Sequence, residues 1–279
     1  MQGYSVAGEE TVVGVPSLDV CFDIGKAPEQ LLPINHVLIS HNHMDHVAGI
    51  AYYFSQRDFR DMAPGTALVP ARLAPMIDEL MDFWGRFDGT RAPANIIPMV
   101  NGREYEIRRN LYAFAFDTNH TRDSLGYTII DRRQKLKPEF KNKPGHEIAQ
   151  LRKNGHQVTD SLDVPLVTYL GDTTGGDFEK LPCVRKSKIL ITECTFFDQD
   201  HHDRARAGKH YHFDDLAKLI LQMENDHIVI THVSHRTYIG SARQIVNKTL
   251  PPEYAQKVHL LMERHPYHSR KPQNSEDNP

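Results

Sequence analysis

The segment His41-Asn42-His43-Met44-Asp45-His46 constrains this chain more than any other stretch. It places four potential metal ligands within six residues, directly behind the apolar run Val37-Leu38-Ile39. Such a run reads as a buried strand, with the ligands collected at its C-terminal end. If the extended geometry continues, His41 and His43 point to one side and reach one ion. Asp45 and His46, past the turn, can face a second ion beside the first. Imidazole with carboxylate is a zinc-type donor set, and two ions about 3.5–4 Å apart form a hydrolytic clamp. Manganese or iron fit the same donors, which do not select zinc alone.

The same placement recurs along the chain. His120 follows the apolar run Leu111–Phe116, Asp172 follows Leu166–Leu170, and His232 follows Ile228–Ile230. Ligands gather at that edge of α/β sheets. Any one of these residues alone reads as a helix cap or a surface group. Ordered behind the first cluster, they bring the set to five His and two Asp, sufficient for two ions.

Around these runs, strands and helices alternate. Thr11–Val15, Val20–Asp23, His36–Ile39, Thr66–Val69, Glu104–Ile107, Leu111–Phe116 and Leu125–Asp131 read as strands of the first half. Leu166–Leu170, Ile189–Thr192, His227–Thr231 and Val258–Leu261 follow in the second. One helix is expected from His46 to Gln56. Another is expected over Ala71–Phe83, with Leu73, Ile77, Leu80 and Trp84 on one face. Further helices are expected at Phe213–Glu224 and Ala242–Thr249. Strands clustered in each half and helices between them predict an α/β architecture, an αββα sandwich of two sheets covered by helices. The expected domain covers residues 1–268, with a polar, disordered tail over 269–279.

Residues 132–163 stand apart as a polar excursion. Eight Lys or Arg fall between Arg132 and Lys153 against two Glu, in a chain whose net charge is −3. A basic segment on an acidic body suits docking of a polyanion, and reversing Arg132, Arg133, Lys135 and Lys137 tests this. The plain alternative is a solvated face. No apolar run approaches the roughly 20 residues that span a bilayer. The N-terminus shows no secretion pattern, and Cys21, Cys183 and Cys194 are odd in number, so a cytoplasmic protein with free thiols is expected.

His-x-His-x-Asp-His, a lone His, Gly171-Asp172-Thr173 and Thr231-His232, in that order, resemble the metallo-β-lactamase superfamily. Asp23 in Phe22-Asp23-Ile24-Gly25 fits that superfamily's first motif, which supports the His-rich loop. Glu193-Cys194-Thr195-Phe196, the Asp123-Ser124-Leu125-Gly126-Tyr127 stretch and Thr231-His232-Val233-Ser234-His235-Arg236 narrow the resemblance to ribonuclease Z, the tRNA 3′-processing endonuclease. His212, before an Ala-containing helix, resembles that family's later His motif, with His210 as the other choice of register. The resemblance implies one Zn²⁺ on His41, His43 and His120, and a second on Asp45, His46 and His232. Asp172 would bridge them. Asp45 would also orient the attacking hydroxide, and Glu193 with His212 would protonate the leaving 3′ oxygen. Arg236, Ser124 and Tyr127 are the candidate substrate contacts. The family's tRNA-gripping arm lies between the lone His and Gly-Asp-Thr. Here that gap is short, with Lys143-Pro144-Gly145 as its remnant. A homodimer is implied on the same ground.

These features predict a dizinc phosphodiesterase that cuts tRNA precursors at their 3′ side. A small-molecule hydrolase on the same core, acting on a cyclic nucleotide, lactone or other ester, is the alternative. An inactive RNA-binding homologue is the third reading.

Overall fold

A computed structural model describes residues 1–264, so the tail expected over 269–279 lies outside the described residues. Two sheets form the centre. The first runs β1 (Gln2–Val6), β2 (Glu10–Val15), β3 (Val20–Phe22), β4 (His36–Leu38), β5 (Thr66–Pro70) and β6 (Asn95–Met99) in that order. The second holds β7 (Glu104–Arg108), β8 (Leu111–Asp117), β9 (Leu125–Leu136), β10 (Thr159–Tyr169), β11 (Ile189–Glu193), β12 (His227–Thr231) and β13 (Val258–Leu260), again in chain order. Each sheet starts with antiparallel pairs and ends with parallel ones: β3 to β6 in the first, β10 to β13 in the second.

Nine α-helices accompany them among the described residues: α1 (Met44–Val47), α2 (Ile50–Phe59), α3 (Ala74–Asp88), α4 (Gly145–Lys153), α5 (Pro182–Arg185), α6 (His202–Gly208), α7 (Phe213–Ile220), α8 (Ile239–Thr249) and α9 (Pro252–Ala255). Three apolar clusters hold the layers together. Leu38, Leu68, Tyr127, Tyr169 and Ile191 lie in the cluster shared by the two sheets. Val37 and Ile39, on the other face of the first sheet, pack with Tyr53 and Phe54 of α2 and Ile77 and Met81 of α3. Leu190, Ile228 and Ile230, on the far face of the second sheet, pack with Phe213 and Leu216 of α7 and Val246 of α8. Strands buried on both faces need apolar residues at every position, which is why β4, β5 and β12 read as unbroken runs. The αββα sandwich is the result.

Several boundaries differ from the sequence reading, each for a local reason. The single helix expected from His46 to Gln56 is two helices, broken at Ala48 and Gly49. Gly49 sits against the backbone of Lys26 and Ala27, where a Cβ would lie 2.4 Å from Ala27 N, and its own N–H donates to Gly25 O. The chain turns there to bring the His loop over the sheet. Helix α3 begins later and ends later than expected, and it buries Ile77 and Met81 while Leu80 and Trp84 face outward. Packing chose the i, i+4 pair nearest the sheet.

The expected excursion over 132–163 is largely a continuation of the second sheet. Strand β9 runs on to Leu136 and β10 starts at Thr159, pairing Leu136 with Thr159 and Arg132 with Asp163. The tip of this hairpin carries α4. Its strands stayed hidden in the sequence because both faces are solvated, so no apolar alternation marks them.

Candidate metal centre

The centre forms where the C-terminal ends of both sheets meet. Strand β4 delivers Ser40 and His41, and the short helix α1 presents Asp45 and His46 behind His43. The loop after β8 brings His120, the loop after β10 brings Asp172, and β12 ends at His232. His41, His43, His120 and Asp172 offer ligand atoms all within 4.8 Å of one another, and so do Asp45, His46 and His232. Asp172 belongs to both neighbourhoods. Its Oδ2 lies 3.7 Å from His41 Nε2, 3.2 Å from His46 Nε2, 3.9 Å from His120 Nε2 and 3.3 Å from His232 Nε2. Across the centre, His120 Nε2 stands 3.2 Å from His43 Nδ1, and Asp45 Oδ2 stands 3.3 Å from His232 Nε2. Gly8 N, in the turn after β1, donates to Asp45 Oδ2 at 3.0 Å.

The outward nitrogens of four imidazoles are occupied, which fixes which nitrogen faces inward. Asp23 is the hub. It takes the Ser40 N–H on Oδ1 at 2.7 Å, the His46 Nδ1–H on Oδ2 at 2.7 Å and the Tyr169 hydroxyl on Oδ2 at 2.6 Å. The Ser40 hydroxyl also donates to Asp23, so it accepts from His41 Nδ1, 2.9 Å away. Likewise Thr195 Oγ1 donates to Glu193 and accepts from His232 Nδ1, each at 2.9 Å. His120 Nδ1 donates to the Lys209 carbonyl at 3.0 Å. Hydrogen placement follows from these networks, and each leaves a bare Nε2 aimed at the centre. His41 Nε2 and His46 Nε2 are buried and have no hydrogen-bond partner. Buried lone pairs without a donor are costly unless a cation takes them. These residues therefore fit a divalent metal.

For three of the histidines the electrostatics agree. Burial holds His41, His43 and His120 below the ordinary histidine range, against the pull of Asp172, so they are neutral, as ligation requires. For His46 burial acts the same way, but the Asp172 and Asp23 carboxylates prevail and raise its pKa. Burial also opposes ionisation of Asp45. The His232 hydrogen bond and the His46 and His232 charges overcome that and bring Asp45 to about 2. Asp172 is fully enclosed and still held ionised, chiefly by His232 and His46. Carboxylates so arranged call for positive charge in the centre.

Next to the ligands stands a carboxylate–imidazole pair. Glu193 is buried and accepts from His210 Nδ1 at 2.9 Å, Tyr211 N at 3.1 Å and Thr173 N at 3.2 Å. The His210 ring stacks on His232 at 5.2 Å and lies 4.7 Å from His120. Burial lowers its pKa, but the Glu193 hydrogen bond and charge outweigh that and leave it raised.

His212, the expected partner of Glu193, is elsewhere. It is the N-cap of α7: its Nδ1 accepts from Asp214 N at 3.2 Å, its Nε2 donates to the Asp198 carbonyl at 3.0 Å, and its ring stacks on His202. With both nitrogens used, His210 and not His212 reaches Glu193. Ser124 and Tyr127 are also not positioned to touch substrate. The Tyr127 hydroxyl is buried between the sheets and donates to Ile39 O at 2.9 Å. The buried Ser124 hydroxyl donates to the Thr118 and Thr121 carbonyls. Arg236 is exposed, and its guanidinium makes no hydrogen bond or ion pair among the described residues. Sequence reasoning passed over Ser40, Thr195 and Tyr169. Ser40 and Thr195 had a signal, since each lies within two residues of a candidate ligand or acid. Tyr169, far away in the chain, had none.

Comparison with known proteins gives the family. A model described as a beta-lactamase superfamily domain matches residues 18–233. The chain is 33% identical over 265 residues to tRNase Z TRZ1 of Arabidopsis thaliana, covering 94% of each. It is 30% identical to the chloroplastic tRNase Z TRZ2 of the same plant, covering 94% of this chain and 75% of that one. Its fold superposes on human tRNase Z, short form, with a TM-score of 0.59 at 16% identity, covering 93% and 95% of the two chains. With a divalent-metal centre on this fold and relatives so named across nearly its whole length, the chain belongs to the ribonuclease Z family of metal-dependent hydrolases.

Proposed function

We propose that this protein is an endonuclease that cuts tRNA precursors at the 3′ side, using two Zn²⁺ ions. The observation that carries the reading is the convergence on Asp172 Oδ2 of four inward-facing His nitrogens, with Glu193–His210 beside them. His41, His43 and His120 would hold one ion, Asp45, His46 and His232 the other, and Asp172 both. Divalent cations there supply an activated water and neutralise charge growing on the phosphoryl oxygens. Asp45, ionised and held by Gly8 N, would orient the attacking water. The Glu193 carboxylate holds His210 Nδ1–H and keeps the imidazolium charged, so that its Nε2–H is donated to the departing 3′ oxygen. Arg236, free and at the end of the β12 loop, suits a phosphate of the RNA.

The hairpin of β9 and β10 with α4 at its tip supports the gripping of tRNA. Lys135, Lys141, Arg152 and Lys153 on it are exposed and make no ion pair among the described residues. The outward face of α3 supports a homodimer. There Phe83, Trp84 and Phe87 are about half or more exposed, an apolar patch of a kind that marks interaction surfaces. No helix of the described residues is long and apolar enough to cross a membrane, and the three thiols are free, in keeping with a reducing, cytoplasmic setting.

Cleavage of a labelled tRNA precursor tests the reading. Release of the 3′ trailer after the discriminator base, lost with chelator and regained with Zn²⁺, is expected. Turnover of bis(p-nitrophenyl) phosphate with no RNA cleavage would reject it.

A further inference from the structure

A cavity of about 230 Å³ opens directly beside the metal centre and shares His41 with it. Asn42, beside His41, and two further segments build the rest. The end of β5 and the start of α3 supply Pro70, Arg72, Leu73 and Met76, and the loop after His120 supplies Arg122 and Asp123. Its chemistry is divided. Pro70, Leu73 and Met76 make it apolar on one segment, while Arg72 and Arg122 bring two guanidinium groups to one carboxylate.

The two arginines are gathered without being consumed. Arg72 Nε lies 3.5 Å and Arg122 Nε 3.9 Å from the same Asp123 oxygen, too long for a full hydrogen bond. Neither guanidinium makes a hydrogen bond to any described residue. Asp123 sits in the left-handed region at φ 64°, so the loop is bent to bring its carboxylate between them. Two charges against one leave the pair net positive, and both side chains are more than half exposed. A planar fork with unused N–H groups is the donor that recognises a phosphate in two-point fashion. Apolar side chains beside it give the face of a base something to pack on.

We propose that this cavity holds the nucleotide next to the scissile linkage, with Arg72 and Arg122 on its phosphate and Met76 and Leu73 against its base. The assignment rests on the reading of RNA as substrate. The cavity adjoins the metal centre at His41, so a phosphate in it belongs to a linkage near the one that is cut. Asp123 acts as a positioning residue: it keeps the two arginines together when no RNA is present.

The test is a cycle between protein and substrate, run on the metal-loaded full chain with a tRNA precursor. Arg72→Ala with Arg122→Ala should raise KM about tenfold or more, the scale of a lost charge-assisted hydrogen bond, with zinc content unchanged. Arg72→Lys should recover part of the loss. Two further precursors carry one uncharged methylphosphonate each, placed one linkage 5′ or one linkage 3′ of the cut. With one of them, the wild type should itself show the raised KM, and the arginine substitutions should then add nothing. An unchanged KM in the double variant on the native precursor overturns the proposal. So does a penalty that stays the same with both methylphosphonate substrates. A wild type that cuts no precursor removes the RNA reading and this assignment together, whereas a wild type and double variant that cut equally well remove only the assignment.

Discussion

The metal centre and the β9–β10 hairpin are built on opposite principles. In the centre, side chains from four strand ends meet, five of the seven buried, and the inward nitrogens of four histidines are set by partners behind them. The outer half of the hairpin is local in sequence and exposed. Its charges pair on the surface, within the hairpin or with the neighbouring β7: Arg132 with Glu104 of β7 and with Asp163, Arg133 with Asp131, Lys137 with Asp160. Rigidity is the requirement in the first region, where an error of a fraction of an ångström costs metal. Reach is the requirement in the second, where a polyanion is met by charge and not by fit. The hairpin's basic residues thus divide into those that hold it straight and those left for a partner. Three of the four residues whose reversal the sequence suggested, Arg132, Arg133 and Lys137, belong to the first kind.

This contrast can be broken at graded cost. Asp172→Ala removes the oxygen shared by both ligand groups, and metal analysis should find bound zinc lost together with all precursor cleavage. His210→Ala should cut single-turnover cleavage about a hundredfold or more, the usual worth of a positioned acid, while zinc stays bound. His212→Ala should leave that rate nearly intact and cost about 1 kcal/mol of stability in denaturant unfolding, as loss of a helix cap does. If the two histidine variants swap these effects, the pairing of His210 with Glu193 is wrong. Asp23→Asn touches no metal, yet it weakens the hold on His46 and, through Ser40, on His41. Equilibrium dialysis should show zinc affinity lower by about 10–100-fold. On the hairpin, reversing Lys135, Lys141, Arg152 and Lys153 to Glu should weaken tRNA binding and flatten its salt dependence by about one unit of slope per lost phosphate contact. Arg132→Ala should change unfolding stability by about 1 kcal/mol or less, since surface ion pairs contribute little.

The sequence showed the centre far better than it showed the hairpin, and the physics explains both. Metal ligation needs particular residue types at strand ends, and strands buried on two faces need unbroken apolar runs. Both demands leave marks in one dimension, so His41 through His232 and the αββα layering were legible. His212 was favoured over His210 because two histidines one residue apart fit the same motif. Only the helix start at Phe213 decides which becomes a cap. Tyr127 followed a motif into the core, where its hydroxyl ties the second sheet to the Ile39 carbonyl. The outer halves of β9 and β10 bury nothing, so composition alone announced them, as a basic excursion. Helix α3 was placed correctly in kind but rotated, since its sequence is apolar on more than one face and only Ile77 and Met81 found the sheet. The small-molecule and inactive readings open at that stage are not favoured by the relatives the chain matches.

The most direct measurement is anomalous X-ray scattering at the zinc edge from crystals of the metal-loaded protein. Two peaks about 3.5–4 Å apart are expected, one against His41, His43 and His120, the other against Asp45, His46 and His232, with Asp172 bonded to both. A single peak, or none among these seven side chains, would contradict the two-metal centre.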